Sequence, residues 1–395
     1  MDKRQFKNIF LTAAFLIICC AAPAVGAIYH RVCGYGESEE NRQLAAFPGI
    51  DKIEDIESFP DQFTSWFSDH LFLKAQMVEA KSELEAAAFH ELDSDKVILG
   101  SDKWIFNRSD DGQPLETYKR TNLFTEEELD EVSANLLDLR RDIEDCGIRF
   151  VLMISPDKEQ IYGEDHIPGY IRVSDNAGIT RQLIDRLMAE DPEYRIVYPA
   201  EALKAAKADV DVYYSSDTHW NKIGAQIACR ELVRVICEEE AVTEPAGAFV
   251  TVDKELVSDT KFIVGGEKRG DLQKLAKLGK AYNSTEYEPE QPLKRNLISE
   301  ERDRNDEAVW EHYNSTDDGA IDAKVYLTGD SFRWNMASFL EEAVSDTVVT
   351  SRYYLDTDDL LNEEPEVFVY MIAERYLHDL AMIPGYNTAA LVNTN

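Results

Sequence analysis

Apolar positions along this chain follow two periods, and the alternation between them predicts the fold. Leu129, Val132, Leu136, Leu137 and Ile143 recur at helical spacing, and Thr125 with Glu128 supplies a capping box in front of them. IRFVLMIS (148–155) is an apolar run of strand length. A helix over about 177–189 follows, then a short strand, RIVY (195–198). From Asn221 onward Ala225, Ala228, Leu232, Val235 and Ile236 share one helical face. KVYLT (324–328) reads as a strand with a helix at about 332–344, and TVVTSRYY (347–354) and EVFVYMIA (366–373) as the last strands, with a helix after 374. Residues 75–92 have helical composition. Short apolar strands separated by helices predict an α/β fold with a mostly parallel sheet covered on both faces. In such a sheet, ligands bind outside the carboxyl ends of the strands. The stretch 240–320 breaks the pattern and reads as an acidic insertion that frames the site.

The first residues follow neither period. Lys3, Arg4 and Lys7 precede IFLTAAFLIICCAAPAVGAI (9–28), which carries no charge. Twenty residues of helix span about 30 Å, one bilayer core. The positive flank sends the remainder of the chain outward. The expectation is a single N-terminal transmembrane helix over 1–28 and a polar stalk over 29–57. A catalytic domain over 58–390 then lies outside the cytoplasm. The alternative is a cleaved signal peptide with small residues at Ala22 and Ala24, or Val25 and Ala27, in which case the chain is secreted.

Charge narrows the partners. The 395 residues hold 76 Asp and Glu against 41 Lys and Arg, a formal net charge of −35. That excludes a nucleic-acid binder and a basic lipid-binding surface, both of which need Lys and Arg to meet phosphate. The 44% hydrophobic content excludes a disordered acidic tail. Four cysteines lie beyond the leader: Cys33, Cys146, Cys229 and Cys237. Cys229 and Cys237 are about 12 Å apart along a helix and cannot pair with each other, and buried thiols acting as small hydrophobes is the expected state. No Cys/His spacing suggests zinc, so neither metal nor cofactor is expected.

Two motifs carry chemistry. KVYLTGDSFRWNMASFL (324–340) ends a strand in Gly329-Asp330-Ser331 and begins a helix at once. Ser331 then stands at a helix N-terminus, where free amides can bind a developing oxyanion. YYSSDTHWNKIGA (213–225) sets Asp217 and His219 two residues apart, on one side of an extended segment. A carboxylate beside an imidazole fixes its tautomer and stabilises the imidazolium, the orienting role in a Ser-His-Asp triad. Alone, Ser331 or Asp330 reads as an N-cap and His219 as a structural histidine; together they make a nucleophile, a base and its orienter.

With DTHWN-x-x-GA, the later GDSF and the terminal VFVYMIAERYL, the chain resembles the SGNH-hydrolase-like polysaccharide O-acetyltransferases, typified by the proteins that acetylate alginate. FPDQFTSWFSDH (59–70), GSDKWIF (100–106), ISPDKEQIYGEDHIP (154–168) and GDLQKLAKLGK (270–280) extend the resemblance over about residues 55–385. It implies an SGNH-like three-layer fold, Ser331 as nucleophile, His219 as base and Asp217 as its orienter. It also implies a polysaccharide acceptor and a multi-spanning membrane O-acyltransferase that supplies the acetyl group. Departures from the family pattern are Lys74 in place of an arginine, the acidity of 240–320, and no carbohydrate-binding tail after residue 390. Trp220, Tyr214, Arg352 and Asp330 are the candidate substrate-binding residues, with Trp104 and Trp334 as further aromatic candidates. The alternatives are an acetyl-esterase using the same triad and a non-catalytic glycan-binding or scaffold protein. The charge of −35 favours a neutral or amino-sugar polymer over a polyuronate.

Overall fold

The computed structural model describes residues 9, 12, 45–49, 52, 55–70, 74–92, 94–237, 261–302 and 309–383. The apolar leader, most of the expected stalk and Cys33 lie outside the described residues. Among the described residues no helix is long and apolar enough to cross a membrane. The chain divides into two compact units, residues 1–89 with 277–279 and residues 90–276 with 280–395. The first holds two helices, α1 (Asp55–Asp69) and α2 (Lys74–Phe89). Phe59, Phe63, Trp66 and His70 recur at helical spacing on α1, which brings Phe63 and Trp66 to 5.7 Å and Trp66 and His70 to 5.1 Å.

The second unit carries the sheet. It begins with a small hairpin, β1 (Val97–Leu99) and β2 (Ile105–Asn107), and the short α3 (Pro114–Tyr118). Then come α4 (Glu126–Asp145), β3 (Arg149–Ser155), α5 (Lys158–His166), α6 (Ile179–Glu190), β4 (Ile196–Val197), α7 (Ala200–Ala206) and α8 (Lys222–Ile236). The Thr125–Glu128 capping box at the head of α4 is present in both directions. The second half runs β5 (Phe262–Lys268), α9 (Asp271–Leu275), β6 (Ser284–Pro289), β7 (Arg295–Arg302) and β8 (Val309–Ser315). It ends with β9 (Ile321–Gly329), α10 (Arg333–Ala343), β10 (Val344–Ser351), α11 (Thr357–Glu363), β11 (Val367–Ala373) and a 3-10 helix, Glu374–Ala381. That last segment was expected as an α-helix.

The main sheet has the order β4-β3-β11-β9-β10-β8-β7. The first five strands are parallel, whereas β8 and β7 pair antiparallel. The sheet is therefore mixed, and the expectation of a mostly parallel sheet is corrected at this edge. β7 and β8 come from the stretch read as an insertion, and a hairpin adds its strands antiparallel because no crossover separates them. In the same stretch β5 and β6 form a two-stranded sheet of their own.

Both faces of the parallel strands are buried, which is why these strands read as unbroken apolar runs. Along β3, Val151 and Met153 join a cluster with Val325, Leu327, Val369 and Met371 against α8 and α10. Phe150, Leu152 and Ile154 join Tyr326, Phe368 and Tyr370 on the opposite face, against α4 and α6. Three layers result. From β3 the chain winds toward β4, and from β9 toward β10, so the direction of winding reverses between them. An open α/β sheet places its site at such a switch point, beyond the carboxyl ends of the strands.

Candidate active site

Ser331 stands directly after β9, in a turn that runs into α10. Asp330 holds that turn. Its Oδ1 accepts the Phe332 N–H at 3.0 Å and its Oδ2 accepts the Ala373 N–H at 2.5 Å, tying the end of β9 to the end of β11. Gly329 lies close to Met371, with 3.0 Å left for an added Cβ, a further sign of how tightly the turn sits against β11.

Asp217 and His219 lie in a loop closed by an isolated bridge between Tyr213 and Trp220, between α7 and α8 rather than directly after a strand. Asn221 caps α8 by accepting the Gly224 N–H at 3.0 Å. The loop docks on the serine turn through Trp220, whose Nε1–H donates to the Phe332 carbonyl at 3.0 Å. The Phe332 ring lies 5.0 Å from the His219 imidazole.

These elements bring the three residues together. His219 Nδ1 is 2.7 Å from Asp217 Oδ1, and His219 Nε2 is 2.7 Å from Ser331 Oγ. Asp217 Oδ1 also accepts the His219 backbone N–H at 3.1 Å, and Oδ2 accepts the Asp271 N–H at 3.2 Å. Lys268 Nζ stands 3.7 Å from the same Oδ2. Burial by itself would raise the Asp217 pKa. The hydrogen bond and charge of His219, the Lys268 ammonium and the His219 amide outweigh it and hold the carboxyl well below the usual carboxylate range. An ionised Asp217 only accepts, so His219 carries its proton on Nδ1 and leaves Nε2 bare. The Ser331 hydroxyl therefore donates to Nε2.

A second shell of groups from distant parts of the chain holds the loop. Thr218 donates its N–H to Asp271 Oδ1 at 2.8 Å and its hydroxyl to Oδ2 at 2.6 Å. Gly270 allows α9 to come this close, because a Cβ there would sit 1.9 Å from the Ser216 carbonyl oxygen. From below, the buried Lys158 points its ammonium at four backbone carbonyls: Ile105 at 2.5 Å, Asp217 at 2.7 Å, Ser215 at 3.2 Å and Tyr214 at 3.3 Å. Burial lowers its pKa to about 8, against the opposing pull of Glu159, Asp271 and Asp217. Asp217, His219 and Asp271 have ligand atoms within 4.8 Å of one another, close enough for a cation. In this arrangement those atoms are taken up by the hydrogen bonds just described.

The four candidate substrate contacts sit elsewhere. Trp220 is fully buried and spends its N–H on Phe332. Tyr214 is buried and donates to Glu286 Oε1 at 2.6 Å. Arg352, 1% exposed, donates to Asp379 Oδ2 and to the Tyr353 hydroxyl, each at 2.7 Å. Asp330 is buried and takes two backbone amides. In this structure all four act as internal supports, and none presents a free polar atom at the surface. Trp104 is likewise buried, whereas Trp334 is 67% exposed. Cys229 lies in the core, where burial pushes its thiol up. Lys158, Asp271 and Lys268 were missed as site residues. The first two stand inside the PDK and GDL segments that carried the resemblance, and that was the available signal.

The family described as SGNH hydrolase-like domain, acetyltransferase AlgX, matches residues 97–352. This chain belongs to that family. It is accordingly an enzyme, an SGNH-like acetyltransferase. It is 24% identical over 299 residues to the protein named probable alginate O-acetylase AlgJ of Pseudomonas fluorescens, covering 71% of this chain and 68% of that one. To the protein of the same name from Pseudomonas aeruginosa it is 23% identical over 365 residues, covering 85% and 84%. The solved structure of Bacillus cereus PatB1 superposes with a TM-score of 0.50 at 14% identity, covering 73% of this chain and 100% of that one. That likeness is one of fold.

Proposed function

We propose that the chain is an extracytoplasmic O-acetyltransferase that moves an acetyl group, through an acyl-enzyme on Ser331, onto hydroxyls of a cell-surface or exported polysaccharide. The observation that carries this reading is the continuous chain from Ser331 Oγ to His219 Nε2 and from His219 Nδ1 to Asp217, both links at 2.7 Å. His219 takes the Ser331 proton as Oγ attacks the donor carbonyl, and Asp217 stabilises the imidazolium. The Ser331 N–H, which no described residue accepts, is available to the tetrahedral oxyanion. The imidazolium then protonates the donor's leaving group. A sugar hydroxyl attacks the acetyl-serine, giving its proton to His219, which returns one to Ser331. Relatives named alginate O-acetylase support a polysaccharide acceptor.

The uncharged run 9–28 behind Lys3, Arg4 and Lys7 supports a membrane anchor with the enzyme outside. Acetyl-CoA is not expected there, so the donor comes through a membrane O-acyltransferase partner, and an anchor keeps Ser331 near it. The test is to incubate the purified protein with a chromogenic acetyl ester, with and without a glycan. Acetylated glycan and an acetyl mark on Ser331 are expected. Acetate release indifferent to every acceptor would replace the transferase with an esterase, and full activity in Ser331→Ala would end the triad mechanism.

A further inference from the structure

A cavity of about 670 Å³ opens between α8, α10 and the β6–β8 region. Its lining includes residues that follow both His219 and Ser331 closely in sequence. Lys222 in its wall stands three residues after His219, and Asn335 and Ser338 stand four and seven residues after Ser331. Along α10, Ser338 lies roughly 4.5 Å beyond Asn335. Asn335 and Ser338, three apart, share one face of α10, and both are partly exposed. Trp334 adds an exposed ring beside them. The volume falls in the range of about 300–1,000 Å³ typical of small-molecule sites.

The charges in the wall are already committed. Lys222 pairs with Glu288 at 2.5 Å, and Arg295 pairs with the buried Glu341 behind it. Glu290 completes the lining, and among the described residues no cation pairs with it. A sugar carboxylate entering here would meet Glu288 and Glu290 with no cation to spare. Like charges oppose binding, less strongly at exposed carboxylates such as Glu290 where water screens them. Uncharged hydroxyls meet no such cost, and Asn335, Ser338, Gln291 and Tyr313 can bond them.

We infer that this cavity is the acceptor subsite, and that it takes an uncharged or amino-bearing glycan segment rather than a polyuronate. The inference rests on the Ser331 reading and adds where the acceptor lies and what charge it carries. One sugar hydroxyl reaches the acetyl-serine while its neighbours run along α10. The acetyl C–O bond to Ser331 breaks as the bond to the sugar oxygen forms, and the hydroxyl proton passes through His219 to Ser331.

The experiment uses the full chain with para-nitrophenyl acetate as donor and glucan, chitosan and mannuronan oligomers of equal length as acceptors. Mass spectrometry follows both acetylated oligomer and acetyl-Ser331. Glucan or chitosan is expected to be acetylated about tenfold faster than mannuronan. Ser338→Trp, which narrows the cavity beside the serine turn, is expected to cut transfer about tenfold while Ser331 acetylates at the same rate. Glu290→Lys leaves the cavity open and is expected to narrow the gap between acceptors several-fold. Equal or faster transfer to mannuronan, or unchanged transfer in Ser338→Trp, overturns the inference. If Ser331→Ala still transfers, the underlying reading fails instead, whichever acceptor is preferred.

Discussion

The serine turn and the Asp-His loop meet through the 2.7 Å Ser331–His219 hydrogen bond and the Trp220–Phe332 one, yet they are held by different means. The turn is the end of a central strand. β9 is paired on both sides, and Asp330 ties the turn to β11 through two backbone amides. The loop has one bridge of its own, between Tyr213 and Trp220. Its conformation depends on side chains from far along the chain, Lys158 beneath it and Asp271 above. A nucleophile built into a sheet shares the stability of the sheet. A base held by inserted side chains depends on each of them singly, so changes in the two regions should separate stability from rate.

The largest effect expected is the one common to both. Ser331→Ala should lower acetyl transfer by about 10⁴-fold or more, because removing one member of a triad disables the unit. Unfolding should be unchanged, which denaturant titration checks. Lys158→Met should lower kcat by about 10²-fold with KM nearly constant, as expected for misplacement of a catalytic group. Its melting temperature should fall, because the buried Ile105 and Asp217 carbonyls lose their donor, a loss partly offset by removing a buried charge.

The pH profile sharpens this case. With the Lys158 pKa lowered to about 8, activity should fall as pH rises through that value. The unfolded chain keeps that proton up to about pH 10.4. Between the two values the unfolded state binds more protons, so stability should rise while activity falls. Opposite slopes for the two measurements are the expected signature, and Lys158→Met should lack both.

Asp330→Ala breaks the comparison from the other side. It leaves two buried N–H groups unpaired, each costing about 1–3 kcal/mol, so the melting temperature should drop together with activity. Asp271→Ala should instead cost about tenfold in kcat and under about 1 kcal/mol in stability, since the carboxylate is 42% exposed and acts through Thr218. Equal losses of stability in these two variants would show that the regions are not held differently. Asp217 carries the comparison to acid pH, where it bears on stability as well as on the triad. Its lowered pKa contributes stability above about pH 4 that is lost as pH falls through the folded value. Asp217→Asn should flatten that acid-side loss in urea titrations carried from about pH 5 downward.

Much of the fold was legible because β3, β11 and the second half of β9 are buried on both faces and so read as mostly apolar runs. Amphipathic α4 and α8 were legible from their 3.6-residue spacing. β7 and β8 escaped notice because β7 lies at the sheet edge and charged residues interrupt both strands, so the pair looked like an excursion. The candidate contacts Trp220, Tyr214, Arg352 and Asp330 lay near the motifs in sequence. Sequence proximity carries no information on which way a side chain points, and all four point inward.

What the amino-acid order determined by itself is local: strand and helix periods, the Gly329-Asp330-Ser331 turn at a strand end, and the two-residue spacing that puts Asp217 beside His219. These depend on backbone geometry within a few residues. What only the tertiary structure decided is the 112-residue closure of His219 onto Ser331, the carbonyl cage around Lys158, the support from Asp271 and the cavity beyond Asn335. Each depends on distances between segments far apart in the chain, which the packing of layers sets and no local pattern encodes.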